Sequence, residues 1–239
     1  MTISSERIIE LLLPDSNYLE IGISSGSTFL EISAVCENSF GCDPNLKPHL
    51  AAYTNLWKLT SDDFFLYHNY LKFDVIFIDG LHTAEQAMTD FVNCVNQANI
   101  GTVILIDDVF PDSIASSKRS LGLYRCSRAM NLISSVLKPV GWQGDVWRLV
   151  MALRSLEGDF NYRTIYTQNG KKVQTLVWGP SMGRIKLDIE KCISMLPPRG
   201  KPTFKLFGQQ PNSLEQIPFW FNPETFTRVL ELLKGIKSS

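Results

Sequence analysis

Two stretches decide most of what this chain can fold into. Phe73-Asp74-Val75-Ile76-Phe77-Ile78-Asp79 and Val103-Ile104-Leu105-Ile106-Asp107-Asp108 are nearly unbroken apolar runs, and each ends in an acid. A run of that length without polar alternation reads as a strand buried on both faces, as in a parallel sheet. Between them, Thr83-Ala84-Glu85-Gln86 has the capping-box spacing. The helix it opens carries Ala87, Met88, Phe91, Val92 and Val95 on one stripe. Strand, helix, strand with short connections is the unit of a doubly wound sheet.

The same unit recurs upstream. Residues 3–13 have helical spacing, with Ser4 or Ser5 as cap and Pro14 as stop. Tyr18-Leu19-Glu20-Ile21 then leads into Gly22-Ile23-Ser24-Ser25-Gly26, with Ser27 as a cap for the next helix. Short strands Ser39–Cys42 and Leu56–Leu59 end at Asp43 and at Thr60-Ser61-Asp62-Asp63. Ser61 is the expected cap of a helix through Tyr70. Beyond residue 110 the pattern predicts a loop over 109–124 and helices near 125–137, 145–156 and 184–195. Tyr162–Thr167 and Val173–Trp178 flank Gln168-Asn169-Gly170-Lys171-Lys172, a strong hairpin signal. Asn222-Pro223-Glu224 reads as the start of a last helix to about Lys237. The fold class expected is α/β: a Rossmann-like, mostly parallel sheet with a C-terminal antiparallel hairpin and a helical extension. It forms one domain over 1–239, with a cofactor half at 1–110 and an acceptor half at 111–239.

Composition narrows the functional classes. With 44% hydrophobic residues and a net charge of -1, the chain is neither disordered nor basic enough to expect a nucleic-acid partner. No apolar run approaches the roughly 18 residues of a membrane span. The start, MTISSERIIELLLPDS, lacks the basic leader of a signal peptide, so a cytoplasmic location is expected. The five cysteines, Cys36, Cys42, Cys94, Cys126 and Cys192, are odd in number and include no CxxC pair. Buried, reduced thiols are the simplest reading.

Ligands of open parallel sheets bind beyond the carboxyl ends of the strands. Those ends carry Glu20, Asp43, Asp62, Asp79 and the pair Asp107-Asp108. Each acid alone could simply cap the next helix. Five at one edge point to a polar or cationic ligand, because acids are depleted in strands and costly to bury unpaired. A dinucleotide loop requires G-x-G-x-x-G, but Ser24 and Ser27 occupy the second and third glycine positions after Gly22. That disfavours a nicotinamide-dependent oxidoreductase.

The spacing Glu20-x-Gly22-x-Ser24-x-Gly26 resembles the first motif of class I S-adenosylmethionine-dependent methyltransferases, with Ser24 in place of the usual middle glycine. The resemblance covers about the first 110 residues. It implies that Glu20, Gly22, Ser24 and Gly26 approach the methionine part of the cofactor. Asp43 would hold the ribose hydroxyls, and Ser61 and Asp62 would face the adenine edge, a role compatible with capping. Residues 73–82 and the Ile-Asp-Asp of 106–108 are similar to metal-dependent O-methyltransferases of the catechol and macrocin types. That likeness implies a magnesium ion at Asp79, Asp107 and Asp108, with Asp79 serving both cofactor edge and chemistry. His82 stands where the catechol-type enzymes place their lysine base, and as a base it would take the acceptor's proton. The other outcome for these residues is structural: Asp108 caps a turn, and His82 bonds to backbone.

Lys118, Arg119, Tyr124, Arg125, Arg128 and Trp142 could shape the acceptor pocket, although Trp142 and Trp147 read more simply as turn and core. The implied reaction is methyl transfer to a hydroxyl of a sugar or other small molecule. The alternative is a cofactor-fold protein that binds a partner without catalysis, through the aromatic and proline-rich stretch from Phe204 to Phe221. The sequence leaves the oligomeric state open, a homo-oligomer included.

Overall fold

A computed structural model of the chain describes residues 1–111, 113–131, 141–166, 172–199 and 217–237. Its strands are β1 (Tyr18–Ile21), β2 (Ser39–Cys42), β3 (Leu56–Trp57), β4 (Phe73–Ile78), β5 (Ala98–Ile106), β6 (Asn161–Tyr166), β7 (Val173–Trp178) and β8 (Pro223–Glu224). They form one sheet in the order β3-β2-β1-β4-β5-β7-β6-β8. β1 to β5 pair in parallel, β7 runs antiparallel to both β5 and β6, and β8 lies parallel to β6. The expected doubly wound sheet and its antiparallel C-terminal pair are both present. The Asn169-Gly170 turn lies outside the described residues.

The helices are α1 (Ile3–Leu11), α2 (Ser27–Ser33), α3 (Ser61–Tyr67), α4 (Ala84–Asn96), α5 (Leu121–Asn131), α6 (Trp147–Leu153), α7 (Ile189–Ser194) and α8 (Phe226–Lys237). Residues 132–137 of the helix expected near 125–137 are not among those described. Alternation along the strands feeds two cores. Tyr18, Val75, Phe77, Val103, Leu105 and Leu176 meet Ile8, Phe29, Ile32 and Val229 of α1, α2 and α8. Leu19, Ile21, Ile76, Ile78, Ile104 and Val177 meet Phe64, Met88, Phe91 and Leu149 of α3, α4 and α6. Both faces are covered, so the strands carry apolar side chains on both sides.

Several caps differ from expectation. Thr2 caps α1, accepting from the Ser5 amide at 3.0 Å. Thr60 rather than Ser61 caps α3, accepting from the Asp63 amide at 3.1 Å, and α3 stops at Tyr67. Ser27 is the first residue of α2, after Gly26 in the left-handed region. Thr83 stands at the cap position of α4 without a side-chain capping bond. Asp145, 61 residues away, takes the Ala84 amide at 2.8 Å instead. Pro223-Glu224 is a short strand rather than a helix start, and Thr225 caps α8 by accepting from the Arg228 amide. Except at α2, where Gly26 holds the cap position, the better-placed hydroxyl or carboxylate wins; sequence spacing alone does not choose between neighbours. Of the five free cysteines four are buried, but Cys126 on α5 is exposed. Among the described residues no helix is long and apolar enough to cross a membrane.

Candidate active site

The strand order reverses between β1 and β4. β2 and β3 extend the sheet one way, β5 and β7 the other. In such sheets the ligand crevice lies at this switch point, at the carboxyl ends of β1 and β4. Gly22 sits in it with φ +87°, and a Cβ at Gly22 would lie 2.1 Å from the Asp79 carbonyl oxygen. Only glycine lets these two strand ends approach so closely. Ser24 and Gly26 continue the loop at φ 50° and 83°, so all three small residues of the motif have left-handed backbone. Asp43 braces the loop: one carboxylate oxygen accepts from the Ile23 and Ser24 amides at 3.0 and 2.9 Å, the other from the Asn45 amide at 2.6 Å.

The acids line up because register aligns them. Glu20 pairs with Phe77 and Ile78 with Ile106. The ladder continues as the Asp79 amide donates to Ile21 and the Asp107 amide to Ile78. Glu20, Asp79 and Asp107 therefore share the face that looks toward α1 and α2. Glu20 is buried and accepts the Tyr18 hydroxyl at 2.7 Å. Burial outweighs that bond and raises its pKa to about 8. Asp79 is raised well above the ordinary carboxylate range by burial, and further by Asp107 and Asp108.

Lys172, at the foot of β7, places its ammonium 2.5 Å from Asp107. Burial pushes the ammonium's pKa down, but Asp107 and Asp79 outweigh it and the net shift is upward. Asp107 is thus held by an internal cation. Asp79, His82 and Asp108 offer ligand atoms that all lie within 4.8 Å of one another. Asp108 reaches the group through left-handed backbone at φ 56°, and its amide donates to Asp107 at 2.9 Å. The cavity bordered by Asp79, His82, Asp107 and Asp108 measures about 10 Å³, the room of one ion or water.

His82 is oriented from behind. Its Nδ1 lies 2.7 Å from the Trp142 carbonyl, and its ring stacks on the Trp142 indole at 5.0 Å. A carbonyl only accepts, so Nδ1 carries the proton and Nε2 keeps its lone pair. Nε2 lies 3.8 Å from Asp79, and Nδ1 lies 3.1 Å from Asp108. Burial lowers the His82 pKa, the Trp142 carbonyl opposing it, so the neutral ring is favoured. The loop behind His82 is clamped: a Cβ at Gly144 would lie 1.7 Å from the His82 carbonyl oxygen. The Asp145 amide donates to that oxygen at 3.3 Å.

Ser61 and Asp62 open α3 beyond β3 and share a donor, the Gln86 amide, at 3.3 and 3.0 Å. That donor also reaches Asp90 at 3.1 Å. Of the expected pocket residues, Trp142 joins the site, Arg119 lies on an ion-pair cluster beside it, Tyr124 is buried and Arg125 exposed. The side chain of Arg128 lies outside the described residues. Sequence reading missed Lys172, assigned to a hairpin turn, and Asp145. The only signal was a Gly-Trp-Gln-Gly-Asp stretch dense in backbone-permissive residues. A further cavity of about 940 Å³ lies among Leu13, Asp74, Ile100 and Trp178, on residues flanking the amino ends of β4 and β5 and thus away from this chemistry.

Residues 19–109 match the family model described as a methyltransferase domain. No curated protein matches the sequence. Among solved structures, the chain is similar to an O-methyltransferase from Bacillus cereus in complex with SAH, at 17% identity over 75% of this chain and 82% of that one, with a TM-score of 0.49. It is also similar to the O-methyltransferase TomG from Streptomyces achromogenes, in complex with SAM, at 14% identity over 75% and 81%, with a TM-score of 0.48. The matched stretch runs from β1 through the end of β5, the segment that carries the motif loop and all the strand-end acids. Residues 19–109 thus resemble a methyltransferase domain, and they form the parallel half of a Rossmann-like α/β sheet.

Proposed function

We propose that the protein transfers a methyl group from S-adenosylmethionine to a hydroxyl of a sugar or other small molecule. On this reading residues 1–110 hold the cofactor and 111–239 the acceptor, in one domain. The observation that carries it is the Asp79–His82–Asp108 cluster at the switch point, directly beside the motif loop. When bound, S-adenosylmethionine supplies an electrophilic methyl. Gly22, Ser24 and Gly26 would present loop backbone, and Glu20 its carboxyl, to the cofactor's methionine end. Asp43 keeps lone pairs for a ribose diol while bracing the loop. Ser61 and Asp62 would face the adenine edge.

The donor set fits a divalent cation: the Asp79 and Asp108 carboxylates border an ion-sized space, with His82 beside it. Asp107 lines the same space and would be the third carboxylate of the site. A magnesium ion bound there would lower the pKa of an acceptor hydroxyl. His82 Nε2, its lone pair fixed by the Trp142 carbonyl, receives the hydroxyl proton. The protein-side contribution is orientation and a proton acceptor, both set before substrate arrives.

Calorimetric titration with S-adenosylhomocysteine tests the cofactor half, and absence of binding ends the reading. Methyl transfer from labelled S-adenosylmethionine across a panel of hydroxyl compounds, with and without chelator, tests the rest. His82→Ala and Asp79→Asn are each expected to lower turnover at least 100-fold. Transfer that survives Asp79→Asn and ignores chelator removes the metal from the proposal.

A further inference from the structure

Three arginines converge on one carboxylate beside the site. Glu85 lies three residues past His82, in the first turn of α4. Its Oε2 pairs with Arg119, and its Oε1 accepts from Arg148 at 3.1 Å and Arg199 at 3.0 Å. Asp145 adds a second acid, 2.9 Å from Arg148 and 3.7 Å from Arg119. Three guanidiniums against two carboxylates leave one positive charge. Burial alone would raise the Glu85 pKa, but its backbone bond and the three arginines bring it to about 2.

The arginines are not equivalent. Arg148 is buried, and its other nitrogens donate to the Pro197 carbonyl at 3.0 and 2.7 Å, so it is fully engaged. The Arg119 and Arg199 side chains are 38% and 69% exposed. Among the described residues Arg119 uses only Nη1 and Arg199 only Nε, which leaves two guanidinium edges with unused donors. Both are pinned to the same carboxylate, so their relative placement is set before any ligand arrives. A planar guanidinium pair held this way matches the oxygens of a carboxylate or phosphate. The cluster also borders the reacting end of the cleft. The Lys118 carbonyl, next to Arg119, accepts the indole N–H of Trp142, whose ring covers His82. The neighbouring edge carries Glu20, Asp79, Asp107 and Asp108, so the positive rim offers an anionic group of the acceptor a place away from those acids.

Building on the methyltransferase reading above, we infer that Arg119 and Arg199 form an oxyanion clamp, and that the acceptor carries a carboxylate or phosphate remote from the hydroxyl that is methylated. Matched pairs test it: 3,4-dihydroxybenzoate against catechol, and glucose 6-phosphate against glucose. Each is titrated calorimetrically at low salt into protein saturated with S-adenosylhomocysteine, because screening weakens an exposed clamp. The anionic member of at least one pair should bind at least tenfold tighter in the wild type. The advantage should vanish in the Arg119→Gln, Arg199→Gln double variant and fall at least threefold in Arg199→Gln alone, whose exposed side chain puts folding at little risk. Preference for the carboxylate or the phosphate pair names the oxyanion. Equal or undetectable binding of both members of both pairs in the wild type overturns the clamp, as does an advantage that both variants retain. Failure of the cofactor to bind overturns the methyltransferase reading instead; the clamp is then judged by the same pairs without cofactor.

Discussion

At the scale of single residues, the motif loop is governed by backbone sign. Gly22, Ser24 and Gly26 all have positive φ, and only Ser24 bears a side chain there. A non-glycine residue in this region costs about 1–2 kcal/mol, against about 0.5–1 kcal/mol of chain entropy for glycine. Ser24→Gly should therefore leave stability unchanged or raise it by up to about 1 kcal/mol, read from urea midpoints. Gly22→Ala should do the opposite, because its Cβ meets the Asp79 carbonyl as well as an unfavourable φ. A loss of more than about 2 kcal/mol and of S-adenosylhomocysteine binding is expected; a variant that binds normally contradicts the close approach. The strand-end acids were legible in the sequence, because an acid closing an apolar run is anomalous wherever it occurs. Lys172 was not legible, and Trp142 was legible only as a pocket residue, not as the support of His82. Their partners, Asp107 and His82, lie 65 and 60 residues away, and no local pattern encodes such a meeting.

At the scale of elements, α4 depends on groups outside itself. Its capping box was visible in the sequence, yet Asp145 supplies the cap and Gln86 turns to Ser61, Asp62 and Asp90. Asp145→Ala removes a cap and a partner of the buried Arg148. A loss of about 3 kcal/mol is expected in denaturant melts, between the usual cost of a cap and that of a broken buried pair. A loss below about 1 kcal/mol would show that Glu85 alone suffices for Arg148 and that the cap is idle.

Asp90, on the same helix, gives a pH signature. Burial raises its pKa from 3.8 to about 6, although Ser61 and Gln86 pull it down. One oxygen has no hydrogen-bond partner among the described residues. The folded state holds its proton more tightly than the unfolded chain, so this residue favours folding less as pH climbs from about 4 to about 6. Asp90→Asn should be more stable than the wild type by about 2–3 kcal/mol at pH 8, with the gap closing toward pH 4. A gap independent of pH would place the proton elsewhere. Elements with long apolar runs were legible in the sequence. Their ends were not, since choosing between Thr60 and Ser61, or between Thr83 and Asp145, needs the third dimension.

At the scale of the molecule, the two halves of the chain meet as opposite charges. The N-terminal half contributes Glu20, Asp79, Asp107 and Asp108; the C-terminal half returns through β7 with Lys172. Lys172→Met should destabilise the metal-free protein, because Asp107 is left buried beside like charges. The rise in melting temperature on adding magnesium should then exceed that of the wild type, since the ammonium no longer competes for the acids. An equal rise in both proteins would mean that Lys172 and the cation do not share the site. The antiparallel hairpin was legible from its Asn-Gly turn, but not the insertion of β7 between β5 and β6, which nothing in its own sequence requires.

That insertion sets an order of assembly. Until residue 178 has left the ribosome, β5 presents an unpaired edge along the middle of the future sheet, and Asp107 has no lysine to face. The contacts that close the sheet, Ile104 with Val177 and Ile106 with Thr175, span about 70 residues. Closing so long a loop is slow, and an open apolar edge in the meantime is an invitation to other chains. The nascent N-terminal half is therefore expected to be prone to aggregation until β7 pairs with β5. Truncation before β7 should give insoluble material even though every strand-end acid is already present.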